Sequence, residues 1–262
     1  MTIRKRASRR PVRTDWDPVA HWYDGWMGSQ GGKFHRELAI PLVLDLLDAQ
    51  PGEQILDIGA GQGVLAPYIA ATGARYTGLD ASSKLVGLGK KHHGRYGTFL
   101  LGDGCNLADT PGLHSQSFDA AIFLFSIQNM DPLHAIFASV DWALKPCSRV
   151  VLLITHPCFR VPRQSGWGWD AERKLQYRRV DRYLTALPVP MKAYGNTQTG
   201  ATRNFHRPLQ DYINGLAQHG FLVEQMEEIS GQQVHQARSK AETLAQQEIP
   251  LFLALRAGRF AA

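Results

Sequence analysis

The residues of this chain whose types and spacing could do chemistry begin with Ile55-Leu56-Asp57-Ile58-Gly59-Ala60-Gly61-Gln62-Gly63. An apolar strand running into closely spaced glycines lets the backbone approach a ligand, and the helix that follows presents its first amides there. Two carboxylates end later apolar runs. Asp80 closes Tyr76-Thr77-Gly78-Leu79-Asp80, 17 residues after Gly63. An acid at that place can accept both hydroxyls of a ribose, and it also suits a helix cap before Ala81-Ser82. Asp103 closes Leu100-Leu101-Gly102-Asp103-Gly104, a sequence that equally suits a turn. His156 follows Arg149–Thr155 directly. It is the candidate general base, since imidazole takes a proton near neutral pH without a large shift; its other reading is to hold the start of the next loop. His156 and Cys158 have no further ligand near them, so no metal site is expected.

These residues need elements to position them. After a basic arm over 1–14, expected to be disordered, helical spacing covers about 15–28 and 33–48. Short apolar runs at 54–58, 75–80, 98–101, 118–125 and 149–155 alternate with helical stretches at 63–72, from 81, and at 131–145. That rhythm predicts βαβ units and a parallel sheet. Phe118–Phe125 is nearly all apolar, as a strand buried on both faces should be. A helix at 208–219 and strands at 221–229 and 249–256 close the chain. Between them, residues 157–207 show no clean period.

The loop has glycine at its first, third and fifth positions, whereas the dinucleotide fingerprint needs glycine at the sixth, which here is Val64. An NAD-linked enzyme is therefore the weakest reading. The pattern instead resembles the first motif of the class I S-adenosylmethionine-dependent methyltransferases, of the small-molecule, methyltransferase type 11-like kind. Phe118-Asp119-Ala120-Ala121 to Phe125-Ser126 resembles that family's fourth motif, and Leu144-Lys145-Pro146 its turn before strand five. The resemblance implies a doubly wound, Rossmann-like seven-stranded α/β sheet with an antiparallel last strand. It implies S-adenosyl-L-methionine as cofactor: Gly59, Ala60, Gly61 and Gly63 around its methionine part, Asp80 and Ala81 at the ribose, and Asp103 and Gly104 at the adenine. Phe125 and Ser126 would border it. Tyr23-Asp24 resembles a pair found in small-molecule members, which puts Tyr23, and with it His35, near the cofactor's carboxylate.

On this reading residues 15–262 form one methyltransferase domain, and 157–207 are an insertion that caps the substrate. Gln128 and Asn129, with Phe159, Trp167, Trp169, Tyr177, Tyr183 and Tyr194 of the insertion, are the candidate substrate contacts. The acceptor is expected to be the O or N atom of a small metabolite, aromatic or anionic. The competing readings are an RNA or tRNA methyltransferase and a non-catalytic cofactor-binding protein. The first of these draws on charge. The net +6 hides a +6 arm over residues 1–13 and a +7 segment over 157–207 on an acidic remainder, a pattern compatible with nucleic acid. Against it, Phe125-Ser126-Ile127-Gln128 lacks the (Asp/Asn)-Pro-Pro-(Tyr/Phe) tetrapeptide of many amino-directed nucleic-acid methyltransferases. No apolar run approaches the ~20 residues of a membrane span, and three cysteines cannot all pair, so a reducing cytoplasm is expected. A homodimer is compatible with the sequence.

Overall fold

The computed structural model describes residues 16–192, 201–231 and 237–259. Its main sheet has seven strands: β1 (Gln54–Ile58), β2 (Arg75–Asp80), β3 (Gly97–Leu101), β4 (Phe118–Leu124), β5 (Leu144–Thr155), β10 (Leu222–Ser230) and β11 (Pro250–Arg259). They lie in the order β3-β2-β1-β4-β5-β11-β10. The first five are parallel, while β11 runs antiparallel to both its neighbours. The expected sheet is therefore present, its reversed strand inserted between β5 and β10. The strand order reverses between β1 and β4, and open α/β sheets bind ligands beyond the carboxyl ends at such a point.

Helices cover both faces. One core joins Leu56, Ile58 and Leu152 of the sheet to Phe137 and Val140 of α5 (Leu133–Ala143) and to Tyr212 and Leu216 of α6 (Leu209–Gln218). The other joins Ile55, Ala120 and Val151 to Val43 and Leu47 of α2 (Ile40–Leu47) and to Ile69 of α3 (Ala66–Ala71). Ile55 and Leu56 face opposite ways because side chains alternate along a strand. Every residue of β1 after Gln54 is buried, which is why the run carries no polar alternation. Each fully buried Leu or Phe contributes about 1.5–3 kcal/mol.

The helices before the sheet are α1 (Ala20–Met27) and a π-helical turn, His35–Ala39, that runs into α2. α4 (Ser83–His93) is capped by Ser82, whose hydroxyl accepts from the Leu85 N–H at 3.2 Å. α3 begins at Ala66, three residues later than its apolar pattern suggests, since residues 61–65 form turns. α7 (Lys240–Glu248) was not expected from sequence. The segment without a period holds two antiparallel hairpins, β6 (Ser165–Asp170) with β7 (Leu175–Val180) and β8 (Leu187–Lys192) with β9 (Ala201–His206). No helix among the described residues is long and apolar enough to cross a membrane. The basic arm and Tyr194 lie outside the described residues.

Candidate active site

The turn after β1 is built by backbone constraints. Gly59 and Ala60 both donate to the Leu79 carbonyl, at 2.7 and 2.9 Å, which ties the turn to the end of β2. Gly59 has a φ of +73°, and a methyl group on it would stand 2.5 Å from Ser126 Cβ. Ser126 in turn donates to the Ile58 carbonyl at 2.5 Å, locking the ends of β1 and β4 together. Gly61 (φ +57°) passes beneath the Tyr23 ring, and its N–H donates to Asp80 Oδ2 at 2.8 Å. Gly63 is turned elsewhere: its missing side chain makes room for the Phe99 ring of β3.

Asp80 is the hub of this turn. Its other oxygen, Oδ1, accepts from the Ser82 N–H at 2.8 Å. A carboxylate has about four lone-pair sites, so two backbone bonds leave acceptor capacity at a residue that lines the cavity. Burial pushes its carboxyl up to about 6 against the pull of those N–H bonds. Behind it, Asp57 accepts from the Tyr76 hydroxyl at 2.8 Å through one oxygen and has no partner for the other; burial pushes it up to about 7. Burial, and then Asp80 and Asp57, drive the Tyr23 hydroxyl upward, so it remains a donor. Asp103 Oδ1 accepts from the Cys105 N–H at 2.9 Å, which shapes the Asp103-Gly104 turn. Burial and then Asp103 push the Cys105 thiol up to about 12.

One cavity of about 1050 Å³ collects these groups at the carboxyl ends of the strands. Tyr23, His35, Gly59, Gly61, Asp80, Ala81, Asp103, Gly104, Phe125, Ser126, Gln128 and Asn129 line it; Ala60 and Gly63 do not. Gln128 and Asn129 are both held. Gln128 accepts from the Thr155 N–H at 3.0 Å, and Asn129 donates to the Phe125 carbonyl at 3.1 Å.

The insertion divides. Met191, Thr202, Arg203, Asn204 and Phe205 of the β8–β9 hairpin close the cavity from the far side, contacts that no periodicity announced. The β6–β7 hairpin is placed away from it. The guanidinium groups of Arg160 and Arg178 both pack on Trp167, 5.0 and 5.2 Å from the ring centroid. Trp167 and Trp169 border a separate groove with Arg238 and Glu242 of the α7 region. Tyr177 lies across Gly168 of its own hairpin. The Tyr183 hydroxyl accepts from the Leu209 N–H at 2.9 Å. None of these four aromatics, nor Phe159, reaches the cavity wall.

His156 is also off that wall. The residue is 1% exposed; Nε2 bonds Glu228 Oε1 at 2.7 Å, and Nδ1 accepts from the Cys158 N–H at 3.2 Å. With both nitrogens used, the structure places it where it holds the start of the insertion rather than where it could meet a reacting atom. Among the described residues no cluster of three His, Cys, Asp or Glu could hold a metal ion.

The sheet order is that of the Rossmann-like fold found in S-adenosylmethionine-dependent methyltransferases. Residues 56–152 match the family described as methyltransferase domain. A demethylmenaquinone methyltransferase of Tropheryma whipplei is 31% identical over 115 residues, 43% of this chain and 46% of that protein. A ubiquinone biosynthesis O-methyltransferase of Aromatoleum aromaticum is 30% identical over 147 residues, 55% and 63% of the two chains. The chain thus spans about half the length of the first curated relatives it matches. An S-adenosylmethionine-dependent methyltransferase of Mesorhizobium loti superposes with a TM-score of 0.69 at 26% identity, over 86% of this chain and 99% of its own.

Proposed function

We propose that this protein transfers a methyl group from S-adenosylmethionine to an oxygen or nitrogen of a small acceptor. The observation that carries this is the shared cavity. Gly59, Gly61, Asp80 and Gly104 stand on one side and the β8–β9 hairpin on the other, so cofactor and acceptor would meet in one space. The residues fit the cofactor: Asp80 keeps acceptor capacity for the ribose hydroxyls, and a side chain at Gly104 would strike Ile58 and Met130, so backbone is available to the adenine. Tyr23 offers its hydroxyl to the carboxylate end.

When bound, S-adenosylmethionine supplies an electrophilic methyl on a sulfonium sulfur. What the chain supplies is position. The locked ends of β1 and β4 hold a rigid floor, and the hairpin excludes water. Effective molarities from such alignment reach about 10⁵ M and above. His156 is not assigned a proton-transfer role in this scheme.

The test is calorimetric titration with S-adenosylhomocysteine, with NADH and NADPH as controls, followed by a labelled-methyl screen of phenolic, amine and RNA acceptors. Micromolar binding of the first ligand alone, with label on a small acceptor, is the expected result. Label on RNA alone overturns the acceptor class, and no binding by folded protein overturns the cofactor.

A further inference from the structure

His35 and His156 are both buried histidines near the carboxyl end of the sheet, yet their ring nitrogens are treated in opposite ways. Those of His156 are both bonded within the protein. Neither nitrogen of His35 has a hydrogen-bond partner among the described residues, although the residue is only 8% exposed and lines the cavity. Its neighbours are rings: Trp26 and Phe125 edge-on at 6.2 and 5.6 Å, and Phe34 at 6.0 Å. A neutral imidazole carries one N–H and one lone pair. The ring nitrogens are not sealed in the core: His35 opens on the cavity, where a ligand can reach both of them.

The surroundings say which ligand. Burial alone holds the ring at about 4, so it is neutral through the physiological range and brings no charge to a carboxylate. Phe34, Phe125 and Phe252 pack on one another beside it, with ring centroids 4.7–6.0 Å apart, and all three line the cavity. Such a floor suits the face of a flat, uncharged ring. The backbone is also irregular here. His35 opens the π-helical turn, a feature frequent at functional sites, and Arg36 fastens it to the Gly31 carbonyl.

We propose that His35 is a specificity-determining residue that binds the methyl acceptor: its neutral imidazole accepts a hydrogen bond from the hydroxyl or N–H of a flat, uncharged aromatic lying on Phe34, Phe125 and Phe252. This rests on the methyltransferase reading and moves His35 from the cofactor's carboxylate to the acceptor. A donor hydrogen committed to His35 fixes where the acceptor atom's lone pairs point, which is what an in-line displacement demands.

The experiment uses the full chain with ring-labelled histidine, the His35 resonance being the one lost in His35→Phe. Catechol is the probe and 1,2-dimethoxybenzene, which has no donor hydrogen, its control; both are added at millimolar concentration to protein saturated with S-adenosylhomocysteine. Catechol should shift the His35 resonance and the dimethyl ether should not. His35→Phe keeps the ring volume, and should bind S-adenosylhomocysteine within about twofold of the parent while losing about tenfold or more in catechol affinity. His35→Gln, which restores an acceptor oxygen, should recover part of it. A His35 shift on S-adenosylhomocysteine alone, an equal response to both ring probes, or no response to catechol overturns the proposal. If the parent protein fails to bind S-adenosylhomocysteine, the methyltransferase reading falls first; if it binds but His35 ignores catechol, only this contact falls.

Discussion

Asp80→Asn exchanges one oxygen for an amide group at nearly constant volume, and its effect follows from the bonds already made. The two carboxylate oxygens accept from the Gly61 and Ser82 N–H groups, each at 2.8 Å. Asparagine offers one acceptor oxygen, so one backbone N–H would face an NH₂ group, a mismatch costing about 1–3 kcal/mol. The lone pairs meant for the ribose lose their charge as well, and hydrogen bonds to a charged group are each worth about 1.5–3 kcal/mol. The dissociation constant for S-adenosylhomocysteine should therefore rise by roughly 10- to 100-fold in calorimetric titration. A pH series makes the assignment specific. Burial raises Asp80 to about 6, and only the ionised form accepts both hydroxyls, so the parent protein should lose affinity as pH falls from 7 to 5. Asp57, Asp17 and Tyr23 face the same group, and Asp57 is itself raised to about 7. The variant separates them: without Asp80 the slope around pH 6 should vanish. An unchanged dissociation constant in folded Asp80→Asn would refute the reasoning, and a surviving slope would transfer the titration to Asp57.

Gly59→Ala should lose at least about 2 kcal/mol in urea unfolding, since left-handed strain of about 1–2 kcal/mol adds to a methyl 2.5 Å from Ser126 Cβ; a loss well under 1 kcal/mol would mean that the strand ends are not tightly locked. Asp57→Asn should raise the melting temperature at pH 8 and leave it unchanged near pH 4. The folded value of about 7 lies above the ordinary carboxylate value of 3.8, so the penalty for ionising Asp57 grows as pH rises through that window; a variant less stable at pH 8 contradicts it. His156→Ala should cost about 1–3 kcal/mol of stability, because the Cys158 N–H and Glu228 lose their partner, while leaving the S-adenosylhomocysteine affinity unchanged. A folded His156→Ala protein of parental stability and reduced turnover would return the residue to the chemistry.

The sheet was legible because its strands are short, buried and regularly spaced. Phe118–Leu124 and Arg149–Thr155 have almost no polar interruptions, which a strand covered on both faces requires. The hairpins were not legible, for the opposite reason. In β7, exposed and half-buried residues alternate without burying a face, so Leu175, Tyr177 and Arg179 give no apolar period to read. α7 was missed because its sequence, Lys240–Glu248, is polar nearly throughout, although Ser239 and Glu242 form a capping pair at its start.

The site divides along the same line. The proposed cofactor side depends on backbone: glycines that must be glycines, and acids that end strands. Both are fixed by positions close together in sequence, so Gly59, Gly61, Asp80 and Gly104 could be named before the fold was seen. The proposed acceptor side is made by rings that meet only after folding, Trp26 and Phe34 before β1, Phe125 after β4, Phe252 in β11 and Phe205 in the second hairpin. Of these only Phe125 is marked locally, by the resemblance around Phe118–Ser126; the large aromatics of 157–207 point to Trp167, Trp169 and Tyr177 instead. Those three remain partly exposed because their hairpin packs toward α7 rather than over the cavity. Composition of an insertion therefore says little about which of its residues line the cavity; the strand that packs against the loop after β4 decides it. Here that strand is β9, whose Thr202–Phe205 run ends at His206 and Arg207, with Arg207 bonded to the Met130 carbonyl at 2.6 Å and to Asp131 at 2.9 Å. Arg207 fastens the hairpin to the loop after β4 that carries Ser126 and Asn129, so one buried guanidinium joins two walls of the cavity.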